Sequence, residues 1–158
     1  MPSEVQQIET IGLMAAHESA LAELYRTYAT LFDDRQSFWS ELADDEVRHA
    51  RWVAGFADEV KAGTVHVKPG RFSSASILGS LDRVKERLQE AQNAEPSSFD
   101  ALAIARKFED DLIESHYFEI FDDDAPGMKD LLKRLQAETL AHRKRVTEAW
   151  EEEREQTP

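Results

Sequence analysis

Apolar residues recur along most of this chain at the three- and four-residue spacing of helices buried on one face. The first run, from about Val5 to Asp33, carries Ile8, Ile11, Ala15, Leu21, Ala22, Tyr25, Ala29 and Phe32 and predicts a long helix closed by the turn "FDDRQS". The second runs roughly from Ser37 to Lys61 through Phe38, Leu42, Val53 and Phe56, and a long connection containing Pro69 follows it. Next, "SASILGSLDRVKERLQEAQ" is a shorter amphipathic helix with Ile77, Leu81, Val84 and Leu88, expected to pack across the outside or one end of the others. After Pro96, "SSFD" offers a serine N-cap with an acid three residues on, opening a helix to about Phe121 through Leu102, Ala105, Phe108, Leu112, Ile113 and Ile120. The last helix has Pro126 in its first turn and continues through Leu131, Leu132, Leu135 and Val146 towards Trp150. The remaining "EEEREQTP" reads as a solvated, fraying end.

Glycine and proline cluster in three connecting stretches, 61–74, 93–98 and 122–127, so the chain between them is left to good helix formers. The pattern predicts an all-α protein: a close helix pair, a long crossover carrying a short extra helix, and a second close pair, which is the plan of a four-helix bundle. With 158 residues, one domain spanning 1–158 is expected. A weak internal repeat supports the two-pair plan: "LADDEVRHARWV" and "LQAETLAHRKRV" superpose with Leu42 on Leu135, His49 on His142 and Val53 on Val146.

Charge and composition narrow the chemistry. The formal net charge of -13 argues against nucleic acid or an anionic membrane surface as partner and locally favours cations. The absence of cysteine excludes disulfides, iron–sulfur clusters and thiolate zinc sites, so any metal must be held by oxygen and imidazole. No stretch approaches the roughly 20 apolar residues of a membrane span, and "MPSEVQQIET" lacks a basic segment followed by an apolar run. These features predict a cytoplasmic protein.

The candidate chemistry lies on the faces that the periodicity turns inward. Glu46 and His49 share the stripe of Leu42 and Val53, and residues three apart on a helix can reach one point. Glu18 lies seven residues before Tyr25 and seven after Ile11, Glu109 stands between Phe108 and Leu112, and His142 is in phase with Leu135 and Val146. An unpaired interior carboxylate is expensive, so these residues require a partner. One inward acid from the first helix of each pair, with Glu-x-x-His from the second, is the arrangement that binds two divalent irons or manganeses in ferritin-like bundles. Carboxylates bridge the cations, imidazoles cap them, and the bundle supplies rigid walls.

The same segments resemble the rubrerythrin branch of the ferritin-like superfamily. "AAHESALAELYRTYA" is similar to that family's first helix, with Glu18 seven residues before Tyr25; "ELADDEVRHA" resembles its second-helix motif, "SSFDALAIARKFEDD" its third helix and "RLQAETLAHRKRV" its fourth. The resemblance covers all four long helices. It implies a ferritin-like bundle with Glu18, Glu46, His49, Glu109 and His142 as metal ligands, two iron ions with manganese or zinc as alternatives, and redox chemistry with dioxygen or peroxide. Two departures qualify it. Thr139 stands where the family has the second motif's Glu, with Glu138 one position earlier on a direction rotated by about 100°. The cysteine-bearing rubredoxin-like module is also absent, so redox turnover requires an external electron donor.

The remaining polar residues receive plainer readings. Glu23, Glu41, Asp44 and Asp45 form a solvated face, Asp110 competes with Glu109 through its spacing to Tyr117, and His116 is a core or supporting histidine. His17 and His66 are surface residues, Tyr25 packs at the seam, with donation of a hydrogen bond to a ligand or a radical relay as its alternative roles, and Trp39, Trp52 and Trp150 serve packing or interfaces. A homodimer is expected. The alternative function is a degenerate, metal-free bundle acting as an interaction module, with Thr139 marking loss of the metal.

Overall fold

The computed structural model of the chain describes residues 3–67, 74–114, 121–122 and 126–156. It is all-helical apart from one two-residue ladder: α1 (Glu4–Leu31), α2 (Gln36–Lys61), α3 (Ser74–Gln92), α4 (Ser98–Glu114) and α5 (Pro126–Gln156). The ladder joins β1 (His66–Val67) to β2 (Phe121–Asp122) in antiparallel register, with His66 opposite Asp122. No helix among the described residues is long and apolar enough to cross a membrane.

Local chemistry sets the helix ends. Ser3 and Gln6 form a reciprocal capping box at the start of α1, satisfying two backbone donors that the first turn leaves free. Ser97 and Asp100 do the same for α4, as "SSFD" predicts. Helix α2 closes on Gly63, whose φ of 77° lets the Gly63 and Thr64 amides reach back to the Val60 and Glu59 carbonyls. The turn after α1 is a single 3-10 turn, Asp33–Arg35, and α1 stops at Leu31, two residues before the expected end.

Helix α1 packs along both α2 and α3, and α4 packs along α5. Flanked by two helices, α1 is buried on several sides, from Ile11 and Met14 through Leu21 and Leu24 to Tyr25 and Tyr28. The extra helix α3 therefore covers α1 lengthwise, turning Ile77, Leu81 and Val84 onto it and closing hydrogen bonds from Ser74 to Thr10 and from Ser80 to His17. One cluster of buried side chains runs through all five helices, with Trp39 against Tyr25 and Tyr28 at one end. The expected fraying end is ordered helix through Gln156, because Arg35 in the α1–α2 turn pairs with Glu153 at 2.8 Å and Ser98 bonds the same carboxylate at 2.6 Å.

Candidate metal centre

The α1/α2 pair and the α4/α5 pair meet through polar side chains in an otherwise apolar interior. Glu18, Glu46, His49, Glu109 and His142 all lie there, none more than 2% exposed. Their side-chain directions follow from helical phase: Leu42, Glu46, His49 and Val53 share one face of α2, and Leu135, Thr139, His142 and Val146 share one face of α5, all buried.

Glu46 is the hub. Nδ1 of His142 stands 3.0 Å from its Oε1 and Nδ1 of His49 3.3 Å from its Oε2. The two imidazoles stack at 5.4 Å with their planes 27° apart. One ligand atom from each of Glu46, His49 and His142 lies within 4.8 Å of the other two. The carboxyls of Glu18 and Glu109 both close on Glu46, and Glu109 Oε1 is 3.8 Å from Nδ1 of His142. Tyr25 donates to Glu109 at 2.9 Å while packing on Trp39, so the packing and the hydrogen-bonding roles expected of Tyr25 hold together.

The electrostatics favour protons on His142 and Glu109 around an ionised Glu46. Burial disfavours a charge on His142, but its bond to Glu46, the charges of Glu46 and Glu109 and its bond to Asp45 outweigh burial and push its pKa up to about 9. Burial and the neighbouring charge of Glu46 push Glu109 up to about 8. Burial likewise opposes the charge of Glu46, yet bonds from Glu18, His142 and His49 hold its carboxyl well below the usual range. Burial and the nearby Glu109 and Glu46 raise Tyr25 well above an ordinary phenol. A divalent cation entering the cluster would replace these protons, as metals do when they take imidazole and carboxylate ligands.

The outer sides of the imidazoles meet two acids. Nε2 of His142 donates to Asp45 at 2.9 Å, and Nε2 of His49 lies 3.5 Å from Glu138. Arg48 pairs with both acids, and Arg48 and Arg134 sit over Trp52, itself 5.7 Å from the His49 ring. Asp45 thus departs from the expected solvated face: α5 packs over its edge of α2 and half-buries it. Glu23, Glu41 and Asp44 are exposed as expected. Glu138 is not drawn into the Glu46 cluster, and Thr139, buried beside His142, donates its hydroxyl to the Leu135 carbonyl at 3.0 Å. The internal repeat held the missed signal, since laying Leu42 on Leu135 also lays Asp45 on Glu138.

Between Glu109 and Asp110 the structure separates the two roles. Glu109 is buried in the cluster, while Asp110 pairs with Arg143 at the rim. His17 is not a surface residue: it is 3% exposed beneath α3, with Nε2 2.8 Å from the Ser80 hydroxyl. His66 lies half-buried in the β1 ladder. His116 and Tyr117 lie outside the described residues. Trp39 is a core residue, whereas Trp150 is half-buried between Arg106 and Arg154 and stacks on Phe99.

A buried group of one carboxylate and two imidazoles, with two further carboxyls against it, is a donor set suited to a divalent transition metal. No protein-family model, curated protein or solved structure matches this chain.

Proposed function

We propose that the chain is a ferritin-like bundle of the rubrerythrin type that binds a divalent transition metal, foremost iron with manganese and zinc as alternatives, through Glu46, His49 and His142 with Glu18 and Glu109 beside them. The observation that carries the reading is the buried group of Glu46, His49 and His142 from α2 and α5, whose ligand atoms lie within 4.8 Å of one another, with the buried carboxyls of Glu18 and Glu109 beside it. Protons on His142 and Glu109 compensate these packed acids in the metal-free protein, and a divalent cation can take their place. The ligands are oxygen and imidazole throughout, a set that suits iron, manganese and zinc better than copper(I).

Bound iron supplies one-electron redox chemistry towards dioxygen or peroxide. The chain's own residues provide the setting: Asp45 and Glu138 orient the imidazoles, Tyr25 holds Glu109, and the packed faces around Leu42, Leu135 and Val146 exclude water. A ferroxidase-like or peroxidase-like oxidoreductase fits this setting, drawing electrons from an external donor because the chain has no cysteine cluster of its own.

A second reading, the metal-free interaction module, is favoured by Thr139 and by the full pairing of His142, which satisfies both ring nitrogens within the protein. Metal analysis of untagged protein purified without chelator separates the two. Near-stoichiometric metal in the wild type, lost in Glu46→Ala and His49→Ala while the helical circular dichroism persists, is the expected result. Full occupancy in both variants would refute the site, and no metal with an unchanged melting temperature on adding ferrous iron would establish the second reading.

A further inference from the structure

We infer that the centre holds a single metal ion on one carboxylate and two imidazoles, not the carboxylate-bridged pair that the four-helix pattern implies; the inference rests on the metal-binding reading above. Ligand atoms about 2 Å from a shared ion lie at most about 4 Å apart. The Glu46, His49 and His142 atoms, mutually within 4.8 Å, need only a small inward movement to fill that role.

A second ion lacks what it needs. Two dications about 4 Å apart repel four times as strongly as unit charges at that distance, and bridging carboxylates from facing helices offset the repulsion. Here α2 supplies Glu46, but the matching place on α5 is Thr139, a neutral hydroxyl already committed to the Leu135 carbonyl. The other carboxylate of that turn, Glu138, is engaged on the far side of His49, where it pairs with Arg48 and Arg134 and faces Nε2, the nitrogen directed away from Glu46. The two imidazoles turn Nδ1 to the same carboxylate, His142 to Oε1 and His49 to Oε2, and all three residues fall within one group of ligand atoms. Two histidines and one carboxylate around one ion leave its remaining positions to Glu18, Glu109 or small oxygen ligands, the pattern of mononuclear ferrous sites.

The test is an anaerobic titration of the chelator-stripped full chain with cobalt(II), followed by visible absorption and metal analysis after desalting. It is repeated with Thr139→Glu and Glu138→Gln. The wild type should saturate at one ion per chain, and its iron form after air oxidation should show the EPR signal of an isolated high-spin ferric ion. Thr139→Glu should move saturation to two and bring the near-ultraviolet absorption of an oxo-bridged pair, while Glu138→Gln should stay at one. Wild-type saturation at two overturns the inference and leaves the metal-binding reading standing. A fall from two to one in Glu138→Gln would identify Glu138 as the ligand to a second ion. Saturation of Thr139→Glu at one would overturn the assignment of Thr139 as the missing position. No binding in the wild type overturns the metal-binding reading itself, and the inference falls with it.

Discussion

Asp45 on α2 accepts a hydrogen bond from Nε2 of His142 on α5, 2.9 Å away. On the other diagonal Glu138 on α5 faces Nε2 of His49 on α2 at 3.5 Å, close but without a hydrogen bond. Each helix thus supplies the acid that faces the outer nitrogen of the other helix's imidazole, and both inner nitrogens turn to Glu46. Arg48 pairs with both acids and so links the two sides of the arrangement.

Asp45→Ala should therefore weaken metal binding without changing its stoichiometry. Loss of a carboxylate behind a ligating imidazole typically lowers affinity about 10–100-fold. Asp45→Asn, which retains an acceptor oxygen, should lose much less. Competition against a chelator of known affinity reads both variants, and an unaltered affinity in Asp45→Ala would refute the positioning role.

The buried His17 makes a separate prediction about acid stability. Burial beneath α3 is the main cause that lowers its pKa from 6.5 to about 4; Glu46 partly opposes the shift and Arg83 adds to it. The unfolded chain then binds more protons than the folded one below pH 6.5. The stabilisation from a neutral His17 is complete above pH 6.5 and is lost as pH falls towards 4. The loss amounts to at most about 3 kcal/mol. In chelator-treated protein, His17→Asn should flatten the fall in denaturation midpoint between pH 6.5 and 4. A slope equal to that of the wild type would show that the imidazole titrates normally.

Ala94 closes α3 with a φ of 55°, and its amide and that of Glu95 reach back to the Ala91 and Glu90 carbonyls. This is the same cap that Gly63 makes at the end of α2, but with a Cβ that disfavours the left-handed region by about 1 kcal/mol. Ala94→Gly should stabilise the fold by up to about 0.6 kcal/mol, the relief of strain exceeding the added freedom of the unfolded chain. Urea denaturation measures it, and a lower midpoint would refute the account.

Helical phase alone placed Glu18, Glu46, His49, Glu109 and His142 on inward faces, because a side chain's direction follows from its position in the 3.6-residue turn. The bounds of α3, the Ser97 cap and the start of α5 at Pro126 were equally legible, since each depends on neighbours within a few residues. His17, Asp45 and Glu138 were not. All three lie outside the central apolar stripe, and their burial depends on which helix is laid over that edge. Helix α3 covers His17, and the meeting of α2 with α5 half-buries Asp45 and Glu138. The end of α5 teaches the same point: "EEEREQ" has the composition of a frayed terminus, and it is the return of Arg35 from a turn more than a hundred residues earlier that captures Glu153. A single helix states which of its faces is apolar, whereas the partners of its flanking residues come from segments far away in the chain, whose approach is set by the packing of the whole bundle.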